Sequence, residues 1–183
     1  MVCVLRHLTL FSLTFISPFL MAAPEAFAPT AVDTFEVKTL PAGMLLEAEG
    51  TGDYFRANNG LFGRLFRYLS GHDIAMTTPV EARIEPAAMY FWVAPAEQAK
   101  ARGDKDGVRG ITRPAQTVAS LGARGGYSRE NFNATRERLL AWIETQSDLK
   151  AIGPAYAVFW HGPFVPWFAK RYEVHVPIAR TQP

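Results

Sequence analysis

Leu61 to Ile84 reads LFGRLFRYLSGHDIAMTTPVEARI, and within it the hydrophobic period changes once. Leu61, Phe62, Leu65, Phe66 and Leu69 recur at the spacing of one helical face, with Arg64 and Arg67 on the other side, which predicts an amphipathic helix. Ser70-Gly71 supplies a stop. From Ile74 the period is two: Ile74, Met76, Thr78, Val80, Ala82 and Ile84 alternate with Ala75, Thr77, Pro79, Glu81 and Arg83. A helix that runs directly into a half-buried strand is expected here.

Upstream, Thr34 to Lys38 and Met44 to Ala48 read as strands joined by the turn Pro41-Ala-Gly43, and Gly50 to Gly60 as a loop into the helix. Downstream, Met89 to Ala94 (MYFWVA) is apolar on both faces, as a covered strand would be, and Ala96 to Arg109 has mixed charge and no period, as an exposed connector would. The pattern then restarts. Thr117 to Leu121 reads as a strand, Ser128 as the N-cap of a helix through Phe132, Leu139, Leu140 and Ile143, and Ala155 to Trp160 and Tyr172 to Ile178 as strands. Gly52 and Tyr54 align with Gly125 and Tyr127 (125 − 52 = 73), Leu65 and Leu69 with Leu139 and Ile143 (139 − 65 = 74), and Pro79 with Pro154 (154 − 79 = 75). An internal duplication of β-α-β-β units follows, giving an α+β fold in which two helices pack on one antiparallel sheet or open barrel.

The N-terminus is of another kind. Arg6 and His7 precede an apolar run from Leu8 to Leu20, and Ala26-Phe27-Ala28 is an A-x-A site, the pattern of a secretory signal peptide over residues 1–28. The protein is then expected to be exported, to the periplasm or secreted, with no membrane span once the signal is cut. The remaining 183 − 28 = 155 residues, 29–183, suit a single domain. The formal charge of +2 and the lack of a basic run argue against a nucleic-acid partner. The only cysteine, Cys3, lies in the signal, so the mature chain has no disulfide, thiolate ligand or covalent haem attachment.

Reactive signatures are sparse. Leu69-Ser70-Gly71 lacks the first glycine of a nucleophile elbow, Gly122-Ala-Arg-Gly125-Gly126 fits no phosphate loop, and no histidines are paired for zinc. His72 and His161 stand in loops, whereas His175 falls on the polar side of its strand, where solvent exposure is the simplest reading. Glu36, Glu47, Glu81 and Glu173 would suit a hydrolase if they converged on an aromatic cleft. Aromatic residues are in surplus. The loop Pro163 to Phe168 (PFVPWF) would either line a ligand or partner surface or fold back as a lid.

These residues resemble the SOUL haem-binding proteins. The likeness runs through Thr34-Phe35-Glu36-Val37 and Arg64 to Gly71, is sharpest at Ile74-Ala75-Met76-Thr77-Thr78-Pro79-Val80 beside the family's IAMTxPV, and resumes at PFVPWF and Arg171-Tyr172-Glu173-Val174. It implies a distorted eight-stranded antiparallel barrel with two helices, and a non-covalent haem or other tetrapyrrole on the first helix. Carried over by position, Phe62 and Phe66 would face the porphyrin and Arg67 would pair with a propionate. Haem also needs an apolar face and axial donors. Leu69 would extend that face, His72 is the nearest histidine for iron, and His161 is the second choice. The function implied is binding, sequestration or carriage without catalysis. The alternative is an enzyme of the same superfold that acts on haem or hydrolyses a small molecule.

Overall fold

The computed structural model describes residues 23–101 and 103–181. In chain order it contains β1 (Phe35–Leu40), β2 (Gly43–Glu49), α1 (Tyr54–Gly71), β3 (Val80–Arg83), β4 (Ala88–Val93), β5 (Val108–Arg113), β6 (Gln116–Arg124), α2 (Arg129–Glu144), β7 (Leu149–Ala151), β8 (Tyr156–Phe159) and β9 (Arg171–Arg180). All strands pair antiparallel in one sheet of order β1-β6-β9-β8-β3-β4-β2-β5, with β7 added beside β9. The continuous path has the expected eight strands, but β1 and β5 end it unpaired with each other, so the sheet curls without closing. Lys38 on β1 and Arg109 and Arg113 on β5 place charge on these short end strands, which discourages further edge pairing.

Exchanging β1 with β5, β2 with β6, β3 with β8 and β4 with β9 turns the strand order into its own reverse. The sheet thus has a two-fold pattern centred between β3 and β8. The helices follow it: Leu65 and Leu69 of α1 and Leu139 and Ile143 of α2 are buried at the 74-residue offset. Asp53 caps α1 by accepting from Arg56 N, Ser128 caps α2 by accepting from Asn131 N, and Asp53 also pairs with Arg129, tying the two helix starts together.

Both helices lie on one face of the sheet. Their core is built from Leu46 and Ala48 on β2, Phe91 on β4, Leu121 on β6, and Val174 and Val176 on β9, against Leu61, Leu65, Tyr68 and Leu69 of α1 and Phe132, Leu139 and Ile143 of α2. Three local readings need correction. The segment read as a loop from Gly50 to Gly60 becomes helical at Tyr54, because the Asp53 cap and burial of Tyr54 outweigh the weak helix propensity of Asn58-Asn59-Gly60. The strand read from Ile74 starts only at Val80, although Ile74 is buried as its period required. The connector read to Arg109 gives way to β5 at Val108, whose partner β2 lies 60 residues upstream (108 − 48 = 60) and leaves no local signal.

Candidate functional site

Phe62 and Phe66 stand one turn apart on the flank of α1, their rings stacked with centroids 5.8 Å apart and planes 12° apart. Phe62 is anchored edge-on against buried Phe91 at 5.6 Å, while Phe66 is 49% exposed, so the pair forms an apolar surface fixed from below and open above. Gly63 lies next to it around the helix. A Cβ there would sit 3.5 Å from Arg67 Nη1, so the guanidinium folds back over the glycine beside the rings. Among the described residues Arg67 takes part in no ion pair. An apolar platform flanked by a free cation suits a flat ligand that bears carboxylates.

The other expected site residues lie elsewhere. Leu69 is buried in the core, so it supports the platform from inside. His72 is the C-cap of α1. Its ring stacks on Tyr68 at 4.1 Å, its Nδ1 lies 2.8 Å from Tyr68 O, and its Nε2 points away from that bond. Tyr68 is two residues from Phe66, about 200° around the helix, so His72 is on the opposite flank from the platform. His161 sits at the other end of α1, near Tyr127, whose hydroxyl accepts from His161 N at 2.9 Å; its Nδ1 accepts from Arg171 N at 3.0 Å. Burial, then the charge of Arg171, lowers the His161 pKa. Among the described residues neither histidine makes a ring contact or hydrogen bond with Phe62 or Phe66: His72 is held by Tyr68, and His161 by Tyr127 and Arg171. A cleft of about 300 Å³ on the Arg64 side of α1 is lined by Glu47, Glu49, Asp104 and Arg109, too ionic for an apolar disc.

The largest departure from expectation is on the sheet face away from the helices. His175, read as solvent-exposed, is fully buried. Glu47, Glu81 and Glu173 are buried on the same face, and Glu36 joins them through Thr30. Glu173 accepts from Thr30 N (2.8 Å), Trp160 Nε1 (2.7 Å), Lys38 Nζ (2.7 Å) and Ser120 Oγ (2.9 Å), with His175 Nε2 at 2.6 Å. Burial alone would raise its pKa. The bond and charge of His175, then Lys38, outweigh that and hold it at about 2. Glu81 accepts from Trp92 Nε1 at 2.8 Å and from Arg113 at 2.5 Å, and Glu47 pairs with Arg109 at 2.5 Å. Burial raises the Tyr90 hydroxyl to about 12 and pushes Tyr156 well above its usual value. The sequence clue to this covered face was MYFWVA, apolar on both sides.

Two further expectations meet the structure differently. In PFVPWF, Phe164 is 98%, Trp167 70% and Phe168 60% exposed, so the loop does not fold back as a lid. Of the segment expected to be a signal peptide, residues 1–22 lie outside the described residues, and residues 24–28 rest on the sheet: Thr78 N donates to Pro24 O (3.0 Å), Ala26 N to Thr78 O (2.8 Å), and the Phe27 ring contacts Trp92 and Trp160. Among the described residues no helix is long and apolar enough to cross a membrane, and no cluster of three acidic, histidine or cysteine side chains could hold a metal ion.

Known structures share the fold at low identity. The C-terminal domain of EcmrR superposes with a TM-score of 0.65 at 12% identity, covering 81% of this chain and 98% of that one. EcmrR in its DNA complex gives 0.65 at 11% identity, and there the match covers 81% of this chain and 58% of that one, little over half of it. A hydrolase from Listeria innocua gives 0.55 at 14% identity, covering 82% and 94%. No curated protein matches the chain in sequence. Residues 26–177 match the family model described as SOUL heme-binding protein.

Proposed function

We propose, since this chain belongs to the SOUL heme-binding protein family, that it binds and carries haem or a related tetrapyrrole non-covalently on the flank of α1, without altering it chemically. The observation that carries this reading is the half-exposed Phe66 stacked on anchored Phe62, with the Arg67 guanidinium beside them over Gly63. The rings offer a flat apolar contact, Gly63 leaves room for the guanidinium to lie beside them, and Arg67 pairs with a propionate. His72 and His161 lie off this platform, so binding rests on stacking and charge, and the tetrapyrrole is recognised by its ring more than by its metal.

The hydrolase alternative draws on the gathering of Glu47, Glu81 and Glu173 with tryptophan and tyrosine. Each of these carboxylates is already bonded to a cation, and Glu173, held at about 2, has no proton to give near neutral pH. Such paired groups suit structure better than acid catalysis. Export remains part of the proposal. It rests on the apolar run after Arg6 and His7 and on the A-x-A site at Ala26 to Ala28, and it places the protein in the periplasm or outside the cell.

Haemin titration of the purified protein, followed at the Soret band, tests the reading. Saturable one-to-one binding that Phe66→Asp weakens supports it, and binding indifferent to Phe66 refutes the assigned site.

A further inference from the structure

The sheet face away from the helices is covered by the chain's own N-terminal segment. Residues 24–33 cross it, bridging it at Glu25 and Val32 with bends at Ala26 and Phe27 between them: Glu25 bridges Thr78 in parallel, Val32 bridges Gly122 in parallel, Lys38 Nζ donates to Ala28 O at 3.1 Å, and Asp33 N donates to Gly122 O at 2.8 Å. Phe27 is the anchor. Its ring lies 5.8 Å from Trp92 and 5.6 Å from Trp160, edge-to-face with both, and Lys38 Nζ stands 5.2 Å from its centroid. Both indoles are fixed, because Glu81 and Glu173 accept their N–H groups and Trp92 also lies over Gly43, where an added Cβ would come within 2.8 Å of the ring. The sheet is cut to receive the strap. A Cβ on Gly122 would collide with the Ala31 carbonyl and come 2.6 Å from that of Thr30.

The strap is nevertheless lightly held around its anchor. Pro24, Glu25 and Ala28 are exposed and Ala26 and Phe27 only half-buried, and among the described residues the hydrogen bonds that hold 24 to 28 are the two backbone bonds to Thr78 and the one from Lys38 to Ala28 O. A rigid pair of tryptophans that grips one aromatic side chain, beside a backbone offering both a donor and an acceptor at Thr78, is a peptide-binding arrangement. We propose that this face is a binding site for a short peptide with a phenylalanine between small residues, and that residues 24–28 of this chain occupy it in cis. A cut after Ala28, the A-x-A position, would remove the anchor and open the site. A cut before Pro24 would leave it closed.

The test uses the full chain and the indole N–H signals of Trp92 and Trp160 in nitrogen–proton NMR spectra, with acetyl-Pro-Glu-Ala-Phe-Ala-amide as probe. Phe27→Ala removes the anchor, and Gly122→Ala pushes the strap off while leaving Phe27 intact. In both variants the peptide should shift the Trp92 and Trp160 signals saturably and leave Trp142 and Trp167 unmoved, and the same peptide with Ala for Phe should do nothing. A tether holds the native strap at an effective concentration on the order of millimolar, so for a segment whose intrinsic Kd is about 0.1 mM the wild type should need about tenfold more peptide. Equal response of wild type and variants, or folded variants whose tryptophans ignore the peptide, would overturn the proposal. So would loss of folding in both variants, which would make the strap an integral strand. None of these outcomes depends on haem binding.

Discussion

Replacing Glu173 by Gln keeps the side chain's shape and removes its ionisation, which makes the Glu173 network readable by pH. With the carboxyl held at about 2 in the folded chain against an ordinary 4.5, the gap at 1.36 kcal/mol per pKa unit is about 3 kcal/mol of native-state stability. Because the folded value is the lower one, this stability is fully present above the unfolded value and is lost as pH falls through 4.5 toward 2. By the same linkage about 3 kcal/mol remains at pH 6 and a little over 1 kcal/mol at pH 3. Glu173→Gln imposes at every pH the loss of counter-charge that acid imposes on the wild type, so the same interaction is read a second way, and breaking a buried pair from one side costs about 3–5 kcal/mol. Urea unfolding of both proteins between pH 6 and pH 2.5 is the assay. The gap between them should be several kcal/mol at pH 6 and shrink to about 1 kcal/mol or less at pH 2.5. A gap that stays constant over this range would show that Glu173 is not held as a buried, ionised carboxylate.

Other consequences can be checked separately. Leu65→Ala, at a fully buried position of α1, should cost about 2–5 kcal/mol in urea unfolding, and a cost below 1 kcal/mol would contradict the packing described. If the platform reads the ring and not the iron, iron-free protoporphyrin should bind within about threefold of haemin by fluorescence quenching, and His72→Ala should leave the Soret position of the complex unchanged. A shifted Soret band in His72→Ala would restore His72 as the iron ligand. The intact mass of the protein recovered after expression with its native N-terminus should correspond to an exported, shortened chain, and a full-length mass would count against export.

The period change at Gly71 and the restart after Ser128 were enough to read two helices on one antiparallel sheet, because apolar spacing is a local signal that survives folding. The two-fold strand order agrees with the 74-residue offset of Leu65 and Leu69 onto Leu139 and Ile143, and an internal duplication is the origin we propose for both. Closure of the barrel was not legible, since it depends on whether β1 and β5, far apart in sequence, meet. The buried polar face was missed for a specific reason. Alternation assigns Glu81, Glu173 and His175 to solvent only if one side of the sheet is wet, and here the segment around Phe27 and Thr30 covers that side. For the site, Phe62 and Phe66 share a helix face by their i, i+4 spacing, whereas Arg67 came in through the family resemblance, since the helical period alone assigns it to the other side. His72 and His161 were chosen by proximity in sequence, which does not specify the direction a capping residue or a loop takes.

The most direct test of the central claim is a haemin titration of the wild type beside Phe66→Asp, with folding of both checked by circular dichroism. Phe66 is half-exposed, so the substitution should leave the fold intact while placing a negative charge on the platform next to Arg67, the proposed propionate partner. The account predicts one-to-one saturation for the wild type and at least a tenfold weaker affinity for the variant. Equal affinities, or a folded wild type that gives no saturable Soret change, would contradict it.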